Sequence, residues 1–208
     1  MLNRRLLLLS GAAALGALLA PRRGRADDIP DGASSFVNGL AQRVIDVLKN
    51  KELGKDDRVK ALAALFLEGF DVRSIGLFVL GVYGHKASES ERDDYLSVFK
   101  DYVVQTYAVR FNSYAGESFV VTKAAADGDI GAWVTTTIGK PGEEPTEVQW
   151  RVRKEDNGFK IIDVVVEGVS LLVTQRSEFA SVLQRNNGNI ASLTELMRGK
   201  IVELRAKS

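Results

Sequence analysis

The amino-acid sequence predicts an α+β fold in which N-terminal helices, one of them long, pack on a curved antiparallel four-stranded sheet and further helices close the chain. Three observations carry this expectation. Apolar residues recur at helical spacing through the first half of the chain. Between about residues 119 and 166 the pattern switches to four strand-like runs separated by turn residues. Helical spacing then returns after Ser170. Helix and strand segregated into blocks indicate α+β, because α/β chains alternate the two.

The elements follow in order. Over residues 34–49, Val37, Leu40, Ala41, Val44, Ile45 and Leu48 form one helical face. A polar break at 50–54 precedes a second helix over 56–68, whose end, 62–67, is apolar on nearly every side. Asp71 is placed to cap a short third helix containing Ile75, Leu77, Phe78, Val79 and Leu80, and 81–86 reads as a loop. Ser88-Glu89-Ser90-Glu91 is a capping box, in which each side chain satisfies the other's free backbone N–H. It opens the longest helix, to about Tyr114, with Tyr95, Val98, Phe99, Tyr102, Val103, Thr106 and Tyr107 along one stripe. At 1.5 Å per residue this helix is roughly 40 Å long, enough to lie across a sheet.

The strand-like runs are 119–124, 131–138, 147–154 and 159–166, rich in Val, Ile, Thr and aromatic residues. Asp127-Gly128-Asp129, Gly139-Lys140-Pro141-Gly142 and Asp156-Asn157-Gly158 separate them, so consecutive strands pair as a meander. Val148, Trp150 and Val152 alternate with Gln149, Arg151 and Arg153, which gives that strand one apolar and one wet face. A helix over 178–185 stops at Asn186-Asn187-Gly188, and a last one over 190–204 has Ile190, Leu193, Met197, Ile201 and Leu204 on one side.

The first 26 residues read as a cleaved export signal. Asn3-Arg4-Arg5 begins a basic segment, 6–20 is apolar and uncharged, and Gly24-Arg25-Ala26 ends in small residues. The apolar run is shorter than the roughly 20 residues of a membrane span. The paired arginines point to a Tat-like route, with an ordinary secretory signal as the alternative, and cleavage is expected after Ala26. The expected organisation is therefore a signal at 1–26 and a single domain at 27–208, exported to the periplasm.

Composition excludes several functions. The full chain holds 28 Lys and Arg against 27 Asp and Glu; without residues 1–26 the balance is 23 to 27. Nucleic-acid binding depends on clustered positive charge, so this is no polyanion binder. There is no cysteine, hence no disulfide, thiolate metal site or thiol nucleophile. The single histidine, His85, lies in a glycine-flanked loop without partners at metal or triad spacing. Asp163 interrupts an apolar strand; it reads either as a general base or as a hydrogen-bonded structural acid paired with Arg176. Arg151, Arg153 and Lys154 read as a solvated face or as a surface for head groups or a partner. The apolar stripes themselves fit either a filled core or the wall of a cavity, because periodicity does not distinguish the two.

Ile162-Asp163-Val164-Val165-Val166-Glu167-Gly168-Val169-Ser170-Leu171, followed by Arg176 and Phe179, resembles the D-V-x-V-E-G-V-S-L … R-x-x-F signature of the MlaC-type phospholipid-carrier family, also called toluene-tolerance auxiliary proteins. Leu80-Gly81, Tyr83, Glu91-Arg92, Tyr95, Phe99, Thr106-Tyr107 and Tyr114 resemble that family's helix pattern, with Tyr83 where many members have Trp. The resemblance implies a curved, helix-backed sheet like the NTF2-like cone, with a deep apolar pocket for phospholipid acyl chains. It implies a non-enzymatic periplasmic carrier, without cofactor or metal and expected to be monomeric. Lipid would pass between an outer-membrane lipoprotein complex and an inner-membrane ABC transporter of the MCE type. A branch of the family, HpnM, is associated with hopanoids, so a polycyclic lipid is the alternative ligand; an enzyme on the same scaffold is a further alternative. The residues expected at the pocket are Leu77, Phe78 and Tyr83 near the third helix and Phe99, Val103 and Tyr107 on the long helix. From the sheet and its last corner they are Phe119, Val121, Trp133, Val148, Trp150, Val164, Val166 and Val169. Glu167-Gly168 is expected to form a hinge or sharp corner, either purely structural or part of the pocket mouth.

Overall fold

The computed structural model describes residues 28–111, 114–140 and 142–207. The expected export signal at 1–26 lies outside the described residues. Among those described, the order is α1 (Asp28–Lys49), α2 (Lys55–Gly69), α3 (Val72–Leu80), a 3₁₀ turn (Gly81–His85), α4 (Glu89–Phe111), β1 (Ser118–Ala126), β2 (Gly131–Gly139), β3 (Thr146–Glu155), β4 (Gly158–Val166), β5 (Val169–Ser170), α5 (Leu171–Arg185) and α6 (Ile190–Lys207). None of these helices is long and apolar enough to cross a membrane.

The chain is α+β, as the segregated pattern predicts. The sheet is antiparallel in the order β1-β2-β3-β4-β5. It has one strand more than expected. β5 is two residues long, too short to show a period, and exists because Glu167 and Gly168 both take positive φ, 49° and 81°. Positive φ at both central residues is the hairpin turn that folds a strand straight back on its neighbour. The corner is thus a tight turn that pairs Val166 with Val169. Register shifts at Val121/Lys123 and at Arg151/Val152 insert bulges, which bend and twist the strands they interrupt.

Local signals placed the helix ends. Asp71 caps α3 by accepting the Ser74 N–H at 3.0 Å. In the capping box the Glu91 N–H donates to Ser88 Oγ at 3.2 Å and the Ser88 N–H to Glu91 Oε2 at 2.9 Å. After α5, the Gly188 N–H bonds back to the Leu183 carbonyl at 2.7 Å and ends the helix.

Two cores result. The helical one joins α3, α4, α5 and α6 around Leu80, Tyr95, Phe99, Phe179, Leu183 and Leu193. Phe99 meets Phe179 edge-on, and the buried Tyr95 hydroxyl donates to the Gly76 carbonyl at 3.0 Å. The second core sets Ile29, Ala33 and Val37 of α1 against Ala132, Val134, Val152 and Ile161 of the sheet. The helix lying across β1, β2 and β3 is therefore α1, while α4 packs chiefly on α6, α3 and α2. The reason is local. Gly32 lets the Phe159 ring approach so closely that an added Cβ would stand 2.8 Å from it, and the stripe on α4 is consumed by α5 and α6.

Asp71 also ties the helices to the sheet. It pairs with Arg153 of β3, and its N–H donates to the Ile161 carbonyl at 3.0 Å. Burial acts to raise its pKa, but the Ser74 bonds and the Arg153 guanidinium outweigh that and hold the carboxyl below its ordinary range. A depressed folded-state pKa gives stabilisation that is complete above the unfolded-state value and is lost as the pH falls through the folded-state one. Urea midpoints are thus expected to drop in acid below the usual carboxylate range. Asp71→Asn should lower stability at neutral pH and flatten part of that acid limb. An acid limb identical in the variant would show that other carboxyl groups carry it.

Candidate functional site

From Val37 onward the apolar face of α1 lines one side of a cavity. Between α1, α2, the end of α4 and the inner sheet face lies this cavity of about 400 Å³, within the roughly 300–1,000 Å³ usual for small-molecule sites. α1 lines it with Val37, Leu40, Ala41, Val44, Ile45 and Leu48; α2 and the residue after it with Leu62, Leu65, Phe66 and Phe70. Tyr107, Tyr114, Glu117 and Ser118 come from the end of α4 and the entry to β1, and Phe119, Ile138, Trp150, Ile161 and Val164 from the sheet, with Leu171 at the start of α5.

The wall is mostly hydrocarbon and aromatic. Phe70, Phe66 and Tyr107 stack in sequence, with ring centres 4.4 Å and 5.8 Å apart. Trp150 tilts against Phe119 at 6.1 Å. The Trp150 indole N–H donates to the buried Thr136 hydroxyl at 2.9 Å, which itself donates to the Val148 carbonyl at 3.0 Å. The ring therefore presents apolar surface to the cavity with its polar atom already satisfied.

Glu117 is the one charged side chain among the described lining residues. Its Oε2 accepts the Ala115 N–H at 2.8 Å, and Oε1 stands 4.0 Å from Lys140 Nζ. Burial acts to raise its pKa; the backbone N–H groups of Ala115, Glu117 and Gly116 and the Lys140 ammonium outweigh it and hold the carboxyl below its ordinary range. It is ionised at neutral pH.

Of the residues expected at a pocket, Tyr107, Phe119, Trp150 and Val164 lie on this wall. The structure places the other ten elsewhere, for identifiable reasons. Val121, Val148 and Val166 share the inner face by register but lie away from the wall. Trp133, opposite Arg151 in the register, faces outward beneath that guanidinium, 5.5 Å from its ring centre. Phe99, Val103 and Tyr83 belong to the helical core; among the described side chains of α4 only Tyr107, one turn beyond Val103, lines the cavity. Leu77 and Phe78 sit on α3; Phe78 is 41% exposed, with Arg176 stacked 4.6 Å over its ring. Val169 is exposed at the start of β5.

Asp163 is a structural acid with a different partner from the expected Arg176. It is 8% exposed and lies on the face opposite Val164. It accepts from Ser170 Oγ at 2.7 Å, the Val164 N–H at 2.7 Å and the Leu172 N–H at 3.2 Å. His85 is exposed at the end of the 3₁₀ turn.

Sequence reasoning assigned α1 and α2 to core packing and left them out of the pocket. One signal pointed the other way: the end of α2 is apolar nearly all round, and such a helix needs apolar surroundings on more than one side.

Comparison with known proteins agrees with this architecture. The family model described as "MlaC protein" matches residues 38–199. A phospholipid-binding protein from Ralstonia solanacearum, solved in complex with a phospholipid, superposes with a TM-score of 0.72 at 21% identity. The alignment covers 83% of this chain and 98% of that one, a likeness that shows a shared fold.

Proposed function

We propose that this chain, which belongs to the MlaC family, is a lipid carrier that holds the acyl chains of a phospholipid in the cavity between α1, α2 and the sheet. The observation that carries the reading is the cavity itself: about 400 Å³ with an almost wholly apolar wall, in a domain too small to leave such a hole empty without cost. The phospholipid bound by the Ralstonia solanacearum protein of the same fold supports it. The reading is of a binding protein and no catalyst. Among the described residues the one charged group on the wall is held by backbone N–H groups, and Asp163, the acid considered as a base, is committed to the β4–α5 corner.

Two acyl chains carry about 30 CH₂ groups, and burial contributes roughly 0.8 kcal/mol for each. The gross value exceeds the ceiling of about 18–21 kcal/mol for net non-covalent affinity, so ordering and solvation costs offset part of it. Escape into water is slow on any such balance, and delivery proceeds by docking that keeps the chains in an apolar path. In this reading the protein is a single domain after an export signal. It works in the periplasm between an outer-membrane lipoprotein complex and an inner-membrane ABC transporter.

Purification without detergent, extraction with organic solvent and mass spectrometry is expected to yield phospholipid at a fixed stoichiometry. A hopanoid in its place would assign the protein to the polycyclic-lipid branch. No lipid would remove the carrier function. Transfer to acceptor protein should speed up with acceptor concentration; a rate independent of it would show release through water.

A further inference from the structure

The cavity wall changes character where the chain leaves α4 for β1. There Tyr114, Glu117 and Ser118 bring a carboxylate and hydroxyl groups to an otherwise apolar lining. The Glu117 side chain is only 16% exposed, and a carboxylate so far out of water needs partners. The backbone N–H groups of Ala115, Gly116 and Glu117 supply them, with one oxygen, Oε2, accepting the Ala115 N–H at 2.8 Å. The other faces Lys140 Nζ at 4.0 Å, beyond hydrogen-bond reach, and the Lys140 side chain is 46% exposed. Both members of the pair keep bonding capacity, one at the edge of the cavity and one toward solvent.

We propose that Glu117 and Lys140 form a headgroup subsite that favours zwitterionic phospholipids, such as phosphatidylethanolamine, over lipids of net negative charge, such as phosphatidylglycerol. This rests on the carrier reading above and adds the headgroup class to it. Chains buried in the apolar part leave the phosphate at the polar part of the wall. A zwitterionic headgroup sets its phosphate against Lys140 and its ammonium against Glu117, matching two opposite charges with two opposite charges. Charge-assisted hydrogen bonds of this kind are the stronger ones, more so where water is partly excluded. An anionic lipid offers Lys140 the same phosphate but sets it beside Glu117 with no cation between them.

The test incubates the purified protein with vesicles of equal parts phosphatidylethanolamine and phosphatidylglycerol, re-isolates it, and measures the ratio of the two lipids bound. The protein is expected to hold phosphatidylethanolamine in about fivefold excess, the scale of a partly exposed ion pair. Glu117→Gln should bring the ratio close to that of the vesicles, and Glu117→Lys should reverse it. Lys140→Ala removes a phosphate contact common to both lipids and should leave the bias in place, whereas raising the salt concentration should shrink the bias of the unaltered protein, a measurement that covers the case in which a Glu117 variant fails to fold. The ratio is read within each sample and does not depend on the amount of lipid held. Lipid bound without bias, or a bias that survives Glu117→Gln, overturns the subsite and leaves the carrier reading standing. Neither lipid bound to the unaltered protein overturns the carrier reading itself.

Discussion

Ala41→Trp is expected to cut the lipid that co-purifies with the protein by at least about tenfold, equivalent to about 1.4 kcal/mol, while the protein stays folded. Ala41 lies on the cavity wall between Leu40 and Val44 on α1, and an indole there occupies the space an acyl chain would take. The new ring gains contacts with wall atoms that lack partners across the hole, and cavity filling of this kind commonly stabilises. The thermal midpoint of the lipid-free protein should therefore hold or rise. The same substitution in a close-packed interior would force neighbours out of their rotamers and cost about 1–3 kcal/mol. Lipid analysis and a thermal melt on one sample thus separate a hollow from a solid interior: a lowered midpoint with unchanged lipid content would sink the assignment of this cavity as the binding site.

The second large effect is expected at Asp163. Its carboxylate joins β4 to the start of α5 through Ser170 Oγ and the Leu172 N–H. Hydrogen bonds to a charged acceptor are worth more than neutral ones, and losing a buried acceptor leaves its donors unsatisfied. Asp163→Ala should destabilise the protein by about 3 kcal/mol in urea unfolding. Asp163→Asn keeps one acceptor and should cost about half as much. Amide exchange at Leu172 and Val173 should quicken in both, since Ser170 also caps α5 by accepting the Val173 N–H at 3.0 Å. Leu171 lines the cavity, so a frayed corner should also weaken lipid retention. A stability loss without faster exchange at this corner would mean that Asp163 acts elsewhere.

The parts of the fold legible beforehand are those set by neighbours in sequence. Ser88 and Glu91 are three residues apart and cap each other wherever the helix goes. Asp71 and the Asn186-Asn187-Gly188 stop act in the same way, and the alternation of Val148, Trp150 and Val152 sorts one strand into two faces. Trp150, Phe119 and Val164 were legible as inward residues for that reason, and Tyr107 as the last member of a long stripe. Trp133 shows the limit of reading by residue type: a large aromatic looks like lining, yet its register position opposite Arg151 turns it outward.

The sequence by itself determined the α+β class, the order of the long elements, the turn chemistry between strands and the family signature around Asp163 and Gly168. Only the tertiary structure decided that α1 covers the sheet, that the stripe on α4 is spent on α5 and α6, and that α1 and α2 share with the inner sheet face a cavity that no side chain fills. The physical reason is that periodicity records which side of an element avoids water. Hydrocarbon facing hydrocarbon and hydrocarbon facing an empty hollow satisfy that demand alike, and the difference lies in the distance between elements far apart along the chain.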